Sequence, residues 1–152
     1  AAGRVLSIRA GKVEELASGL QQPMGLAIDA DGSCLVSESG AGRVVRLGGG
    51  RADTVLDGLQ RPQGIALRGG LLYVVDAQAK ELIEYDLARG ARRCLVGGLP
   101  GGAPAGVTPK FLRAIPPRSG PMGPFAGIAA AADGTLYVSG DAEGSVLALR
   151  PA

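Results

Sequence analysis

Four carboxylates stand in or beside corresponding links in a chain of 152 residues that holds no histidine and, read end to end, no asparagine. Glu38, Asp76, Asp141 and Glu143 each fall in or beside a short polar link that follows an apolar run. Acids gathered on one face of a fold could bind a divalent cation such as Ca²⁺ through oxygen ligands. The competing reading is that they are turn residues whose oxygens accept hydrogen bonds from their own loops. The missing histidine removes Ser-His-Asp and Cys-His nucleophiles and histidine metal clusters from this segment. Gly48-Gly49-Gly50 has neither a GxxxxGK pattern nor a following helical pattern, so it reads as a turn and not a phosphate cradle. No residue is assigned a catalytic role.

A second candidate is a Gly- and Pro-rich stretch over residues 100–124. It carries Phe111, Leu112, Ile115 and Met122, together with Lys110, Arg113 and Arg118 and no acid. Long connections in compact domains are often functional, so this one reads as a lid or a partner-docking arm. The alternative is a meander that covers an edge or a channel. The candidate ligand-binding face therefore comprises Glu38, Asp76, Asp141, Glu143, Lys110, Phe111 and Arg113. Lys110, Arg113 and Arg118 with Phe111 as the one aromatic among them make a poor stacking platform for single-stranded nucleic acid.

The elements that must position these residues are repeats. Gly19-Leu20-Gln21-Gln22-Pro23-Met24-Gly25-Leu26-Ala27-Ile28 returns 39 residues later as Gly58-Leu59-Gln60-Arg61-Pro62-Gln63-Gly64-Ile65-Ala66-Leu67. A looser copy runs from Gly123 through Pro124 and Gly127 to Ala129. Each copy continues into a second apolar run: Cys34–Glu38, Leu72–Asp76 and Leu136–Gly140. A third run follows at constant spacing, Val36 to Val44, Val74 to Leu82 and Val138 to Val146. Asp31-Gly32, Gly69-Gly70 and Asp133-Gly134 supply hairpin chemistry between the first two runs. Gly3–Ile8 and Val13–Ala17 match the third and fourth runs of a unit. The pattern predicts thirteen short strands and no helix: two, then four, then four, then three.

Short strands at this period imply antiparallel four-stranded blades. Each blade hides its two apolar faces only by stacking on neighbours. The fold class is therefore all-β: a partial β-propeller of about three blades from a six-bladed ring. Residues 1–18 end a first blade, 19–58 and 59–99 form the second and third, 100–124 are an insert, and 125–152 are an incomplete last blade. As it stands, the outer faces of the first and last blades lack cover. The partners expected are the remaining blades, from the same longer chain or a second subunit, and a protein or small-molecule ligand.

Composition agrees with a packed domain. Hydrophobic residues make up 46% and aromatics 3%, so Val, Leu, Ile and Ala must fill the layers. A net charge of +2 is too balanced to argue for nucleic acid or a membrane surface. No apolar run approaches the ~18 residues of a spanning helix. Residues 1–8 lack the charged and apolar regions of a signal peptide, and the compartment is left open. Cys34 and Cys94 read either as a disulfide or as two half-buried strand residues.

At Pro23–Asp29, Asp31-Gly32 and Arg43-Val44 the chain resembles the NHL repeat, with a degenerate copy from Pro62. The resemblance reaches to the wider six-bladed superfamily of gluconolactonase and senescence-marker-type hydrolases, strictosidine synthase-like proteins and the virginiamycin B lyase type. It implies the fold, but those proteins share no single chemistry. Lactonase-type sites need an Asn ligand, which this chain lacks. The lyase type needs a His, also lacking. The strictosidine synthase type uses a Glu, and Glu38 lies in a comparable loop. The expected function is a non-catalytic, NHL-like binding scaffold without a cofactor. The alternative is a piece of a metal-dependent lactonase-like or strictosidine synthase-like hydrolase, with Ca²⁺ as the implied metal.

Overall fold

The computed structural model describes residues 3–101 and 126–151. These form thirteen strands and no helix. Strands β1 (Val5–Arg9) and β2 (Lys12–Ala17) make a hairpin. The next sheet runs in order β3 (Pro23–Ile28), β4 (Cys34–Glu38), β5 (Arg43–Gly48) and β6 (Arg51–Leu56). A second four-stranded sheet follows with β7 (Pro62–Arg68), β8 (Leu71–Asp76), β9 (Glu81–Asp86) and β10 (Ala91–Gly97). The last contains β11 (Ile128–Ala130), β12 (Leu136–Gly140) and β13 (Ser145–Leu149). Every pairing is antiparallel between strands consecutive in the chain. The two-four-four-three count is the one expected from the repeat. Residues 102–125, and with them nearly all of the insert, lie outside the described residues.

Alternation along the strands explains the stacking, because successive side chains point to opposite faces. On β4, Cys34 and Val36 pack toward the β1–β2 hairpin, with Val5, Leu16, Val45 and Leu47. Leu35 points the other way and joins Val44 and Leu56 against Ile65, Leu72, Val74 and Ile83 of the next sheet. Tyr73, Val75 and Leu82 turn to the far side and meet Ile128, Leu136 and Val138 of the last sheet. Strands β4 and β8 are thus buried on both faces. The first strands follow one another, with β7 between β3 and β11. This radial stacking is that of a propeller. Each fully buried Leu, Val or Ile contributes roughly 1.5–3 kcal/mol, which is how a core with so few aromatics holds.

The Pro-X-Gly motif has a role in the stacking. The β3–β4 and β7–β8 registers shift between Pro23 and Leu26 and between Pro62 and Ile65. A Cβ on Gly25 would lie 2.2 Å from the Gln63 carbonyl oxygen, and one on Gly64 would lie 2.6 Å from that of Ala126. Glycine is therefore required by the close approach of the neighbouring sheet's first strand. The Ser37 hydroxyl completes the junction: it accepts from Gly25 N–H at 2.8 Å and donates to the Gln63 carbonyl at 2.6 Å.

The hairpins differ in detail from a uniform two-residue reading. Gly69-Gly70 is a two-residue turn with φ of +56° and +78°, as a type I′ turn demands. At the other two hairpins the loop is longer, closed by Gly32 N–H to the Asp29 carbonyl at 2.9 Å and by Gly134 N–H to the Ala131 carbonyl at 3.0 Å. There Asp31 and Asp133 accept from the amides of Ser33 and Thr135, 2.8 and 2.9 Å away, and so shape the loop. Hydrogen bonding to Ser33 and to Thr135 holds the two carboxyls below the usual range. Both cysteines are free; Cys34 is buried and Cys94 exposed, so neither the disulfide nor two half-buried positions describes them. They lie on strands of different sheets, one central and one outermost.

Two outcomes follow. Gly25→Ala and Gly64→Ala should each lower stability by about 1–3 kcal/mol, because an added methyl must push two sheets apart; urea unfolding measures this. The carboxyls of Asp31 and Asp133 have depressed folded pKa values, so their contribution is full above the unfolded value of about 3.9 and fades as pH falls through it. The Asp31→Ala/Asp133→Ala double variant should show a flatter loss of melting temperature below about pH 4 than the parent.

Candidate ligand-binding rim

The links after β4, β8 and β12 share one rim with the segments that lead into each sheet. Backbone bonds fasten them together, Leu59 N–H to the Gly42 carbonyl and Leu99 to Lys80 at 2.9 and 3.0 Å, and Leu20 makes the same bond at 3.0 Å to Gly3 ahead of β1. Four of the candidate acids lie on or beside these links.

Glu38 is the last residue of β4 and is completely buried. One carboxylate oxygen accepts from Gln21 N–H at 2.8 Å, and the other from Arg43 Nε at 2.6 Å. Asp76 closes β8 in the same way and is also buried. Its Oδ2 accepts from Gln60 N–H at 2.7 Å; its Oδ1 accepts from Arg61 N–H at 2.9 Å and Ala79 N–H at 3.2 Å. Each carboxylate therefore pins the segment entering its own sheet to the end of the second strand. Leaving such amides without a partner inside the protein would cost roughly 1–3 kcal/mol each. The donor set does not fit a metal: every oxygen already faces an N–H donor, and a cation at Glu38 would have to displace the Arg43 guanidinium. Among the described residues no three Asp, Glu or Cys side chains are grouped to hold a cation.

The last sheet breaks the pattern. Gly140 stands where Glu38 and Asp76 stand, and a Cβ there would meet Pro100 Cγ at 2.9 Å and Ser145 Oγ at 2.7 Å. Ala142 N–H donates to the Pro100 carbonyl at 3.2 Å. Pro100 thus packs at the place a carboxylate would claim. Ser145 replaces the arginine found at position 43, and its hydroxyl is buried without a hydrogen-bond partner among the described residues. Asp141 and Glu143 are exposed on the adjoining link, with Asp141 Oδ1 close to Gly101. Lys110, Phe111 and Arg113 lie outside the described residues. The rim therefore separates two buried acids, each serving its own loop, from two that face solvent.

Sequence reasoning passed over three polar residues that bind sheet to sheet. Ser37 is one; Ser39 donates to the Pro62 carbonyl at 2.7 Å. Gln63 Oε1 accepts from Ala126 N–H at 2.7 Å across the next junction. The only available signal was position: Gln63 occupies the X of Pro-X-Gly, where the earlier copy has Met24. A groove of about 250 Å³ lies elsewhere, between β1 and β3, lined by Arg4, Leu6, Met24 and Leu26 among others.

No protein-family profile matches the chain, and no curated protein does. Solved structures do. Virginiamycin B lyase from Staphylococcus aureus matches with a TM-score of 0.63 at 13% identity, over 98% of this chain and 49% of the lyase. A chain of a nidogen–laminin complex matches with a TM-score of 0.58 at 17% identity, over 97% of this chain and 58% of that one. The PQQ-bound aldose sugar dehydrogenase of Streptomyces coelicolor matches with a TM-score of 0.60 at 17% identity, over 94% of this chain and 48% of the enzyme. The chain spans about half the length of the propellers it matches. At these identities the likeness concerns the fold: the chain is a partial β-propeller.

Proposed function

We propose that this NHL-like propeller segment is a non-catalytic binding scaffold that presents its loop rim to a protein or a small ligand. The observation that carries the reading is the fate of the two buried acids. Glu38 and Asp76 are the rim's best-placed titratable groups, and their oxygens are taken up by loop amides and Arg43. What the rim leaves for recognition is the solvent-facing pair Asp141 and Glu143; the sequence candidates Lys110, Phe111 and Arg113 would add to it. A rigid frame with adaptable loops is a common arrangement for binding. Propellers of this kind include enzymes and a component of a protein complex, so the fold accommodates the reading without dictating it.

Thermal melts test it. Millimolar Ca²⁺ or Mn²⁺ should leave the melting temperature unchanged. Glu38→Gln and Asp76→Asn should each cost about 1–3 kcal/mol, equally with and without metal, because each turns an acceptor toward amides into a mixed donor and acceptor. A metal-dependent rise that disappears in either variant would transfer the rim to the hydrolase reading, with both acids as ligands.

A further inference from the structure

One residue on the rim stands where the repeat asks for glycine. Gly42 and Gly144 come directly before β5 and β13, and Lys80 directly before β9. All three are left-handed, with φ of +64°, +66° and +57°. The Gly42 carbonyl accepts from Leu59 N–H at 2.9 Å, and the Lys80 carbonyl accepts from Leu99 N–H at 3.0 Å. A Cβ on Gly42 would lie 2.3 Å from the Leu59 carbonyl oxygen, and one on Gly3, the matching residue ahead of β1, 1.8 Å from that of Leu20. A side chain is thus unwelcome at this place, both for its φ and for the backbone it faces. Lys80 is exposed, and among the described residues no ion pair holds its ammonium. Strain kept at an exposed polar position points to a residue retained for what it meets.

Lys80 has neighbours of its own kind. Asp76 Oδ1 draws Arg61 N–H and Ala79 N–H onto one atom, at 2.9 and 3.2 Å, so the segment entering the sheet and the β8–β9 link run side by side. Gln60, Arg61, Gln78 and Lys80 are the exposed residues of these two stretches, 60–61 and 77–80. Each of the four side chains can donate a hydrogen bond. The one acid in the two stretches, Asp76, precedes the link and is buried, with amides on both oxygens. Glu81, opposite it on β9, is half-buried, and Asp57 is separated from Gln60 by Gly58 and the buried Leu59. These acids offset part of the positive field, so the patch recognises by its donors as much as by its charge. Arg43, Arg46, Arg89 and Arg93 are each held by a carboxylate; Arg61 has no such partner among the described residues.

We propose that Gln60, Arg61, Gln78 and Lys80 form a docking patch for an acidic segment of a protein partner, an inference that rests on the scaffold reading of the rim. The Arg61 guanidinium offers a fork that matches a carboxylate, and Lys80 sets a point charge beside it. The groove of about 250 Å³ lies elsewhere, between β1 and β3. An open rim suits a protein surface, whereas a small molecule needs enclosure. Asp141 and Glu143, exposed on the next link, repel a continuous polyanion, so the docking segment carries spaced acids.

The test sets two probes against the whole chain at low salt. One is a blocked peptide with two spaced glutamates. The other is glutarate, which brings two carboxylates without a peptide chain. Amide shifts in NMR titrations report on both. The peptide should move the amides of residues 60–61 and 77–80 and bind more tightly than glutarate. Lys80→Gly and Arg61→Gln should each weaken the peptide about threefold, as expected for an exposed charge pair, while Lys80→Arg retains it. Lys80→Gly should at the same time raise the melting temperature by about 2–4 °C, because the left-handed strain is released. A lysine kept for the fold would lower the melting temperature on replacement, and that result overturns the proposal. So does peptide binding indifferent to both substitutions, glutarate binding as tight as the peptide's, or an absence of shifts at these residues. The metal melts decide the scaffold reading separately.

Discussion

The second strands of both four-stranded sheets are buried on both faces, and that one constraint organises the molecule. A strand such as β4 or β8 cannot lie on a surface, because neither of its faces tolerates water. It is stable only between two other sheets. The radial arrangement, the short strands and the reliance on Leu and Val in place of aromatics all follow from it. So does the Pro-X-Gly motif, since two sheets can close up near the axis only where one backbone carries no side chain against the other's carbonyl oxygen.

Within that frame, polar groups act as fasteners. Glu38 and Asp76 fix the entering segment of each sheet; Ser37, Ser39 and Gln63 fix one sheet to the next. All are buried and hydrogen-bonded, as buried polar groups must be. The rim is consequently built in two tiers. A concealed tier of carboxylates and hydroxyls holds the geometry, and an outer tier of loop residues is left to meet a partner.

Much of this was legible in the residues. The spacing of Val36 to Val44 and its two repeats, with the glycine turns, located thirteen strands to within a residue or two, because hairpin chemistry and alternation act over a few positions. The first strands start at Pro23 and Pro62, two residues ahead of the motif glycines, where a shifted register hides the pairing. The acids were harder. A carboxylate that ligates a cation and one that fastens a loop look alike in sequence, and the deciding amides lie 17 residues from Glu38 and 16 and 15 from Asp76. The reason for the motif glycines was hidden for the same cause: their constraint comes from an oxygen on another sheet.

The exchange of a carboxylate for Gly140 and Pro100 coincides with the site of the long insertion. An acid fastener works only when its target amides arrive in fixed register, which ties it to one connection length. Pro100 has no N–H for an acid to accept from, yet its carbonyl takes the Ala142 N–H as the Gln21 carbonyl takes that of Gly40. Proline at this junction thus removes the need for the carboxylate while the backbone bond that sets the register is kept.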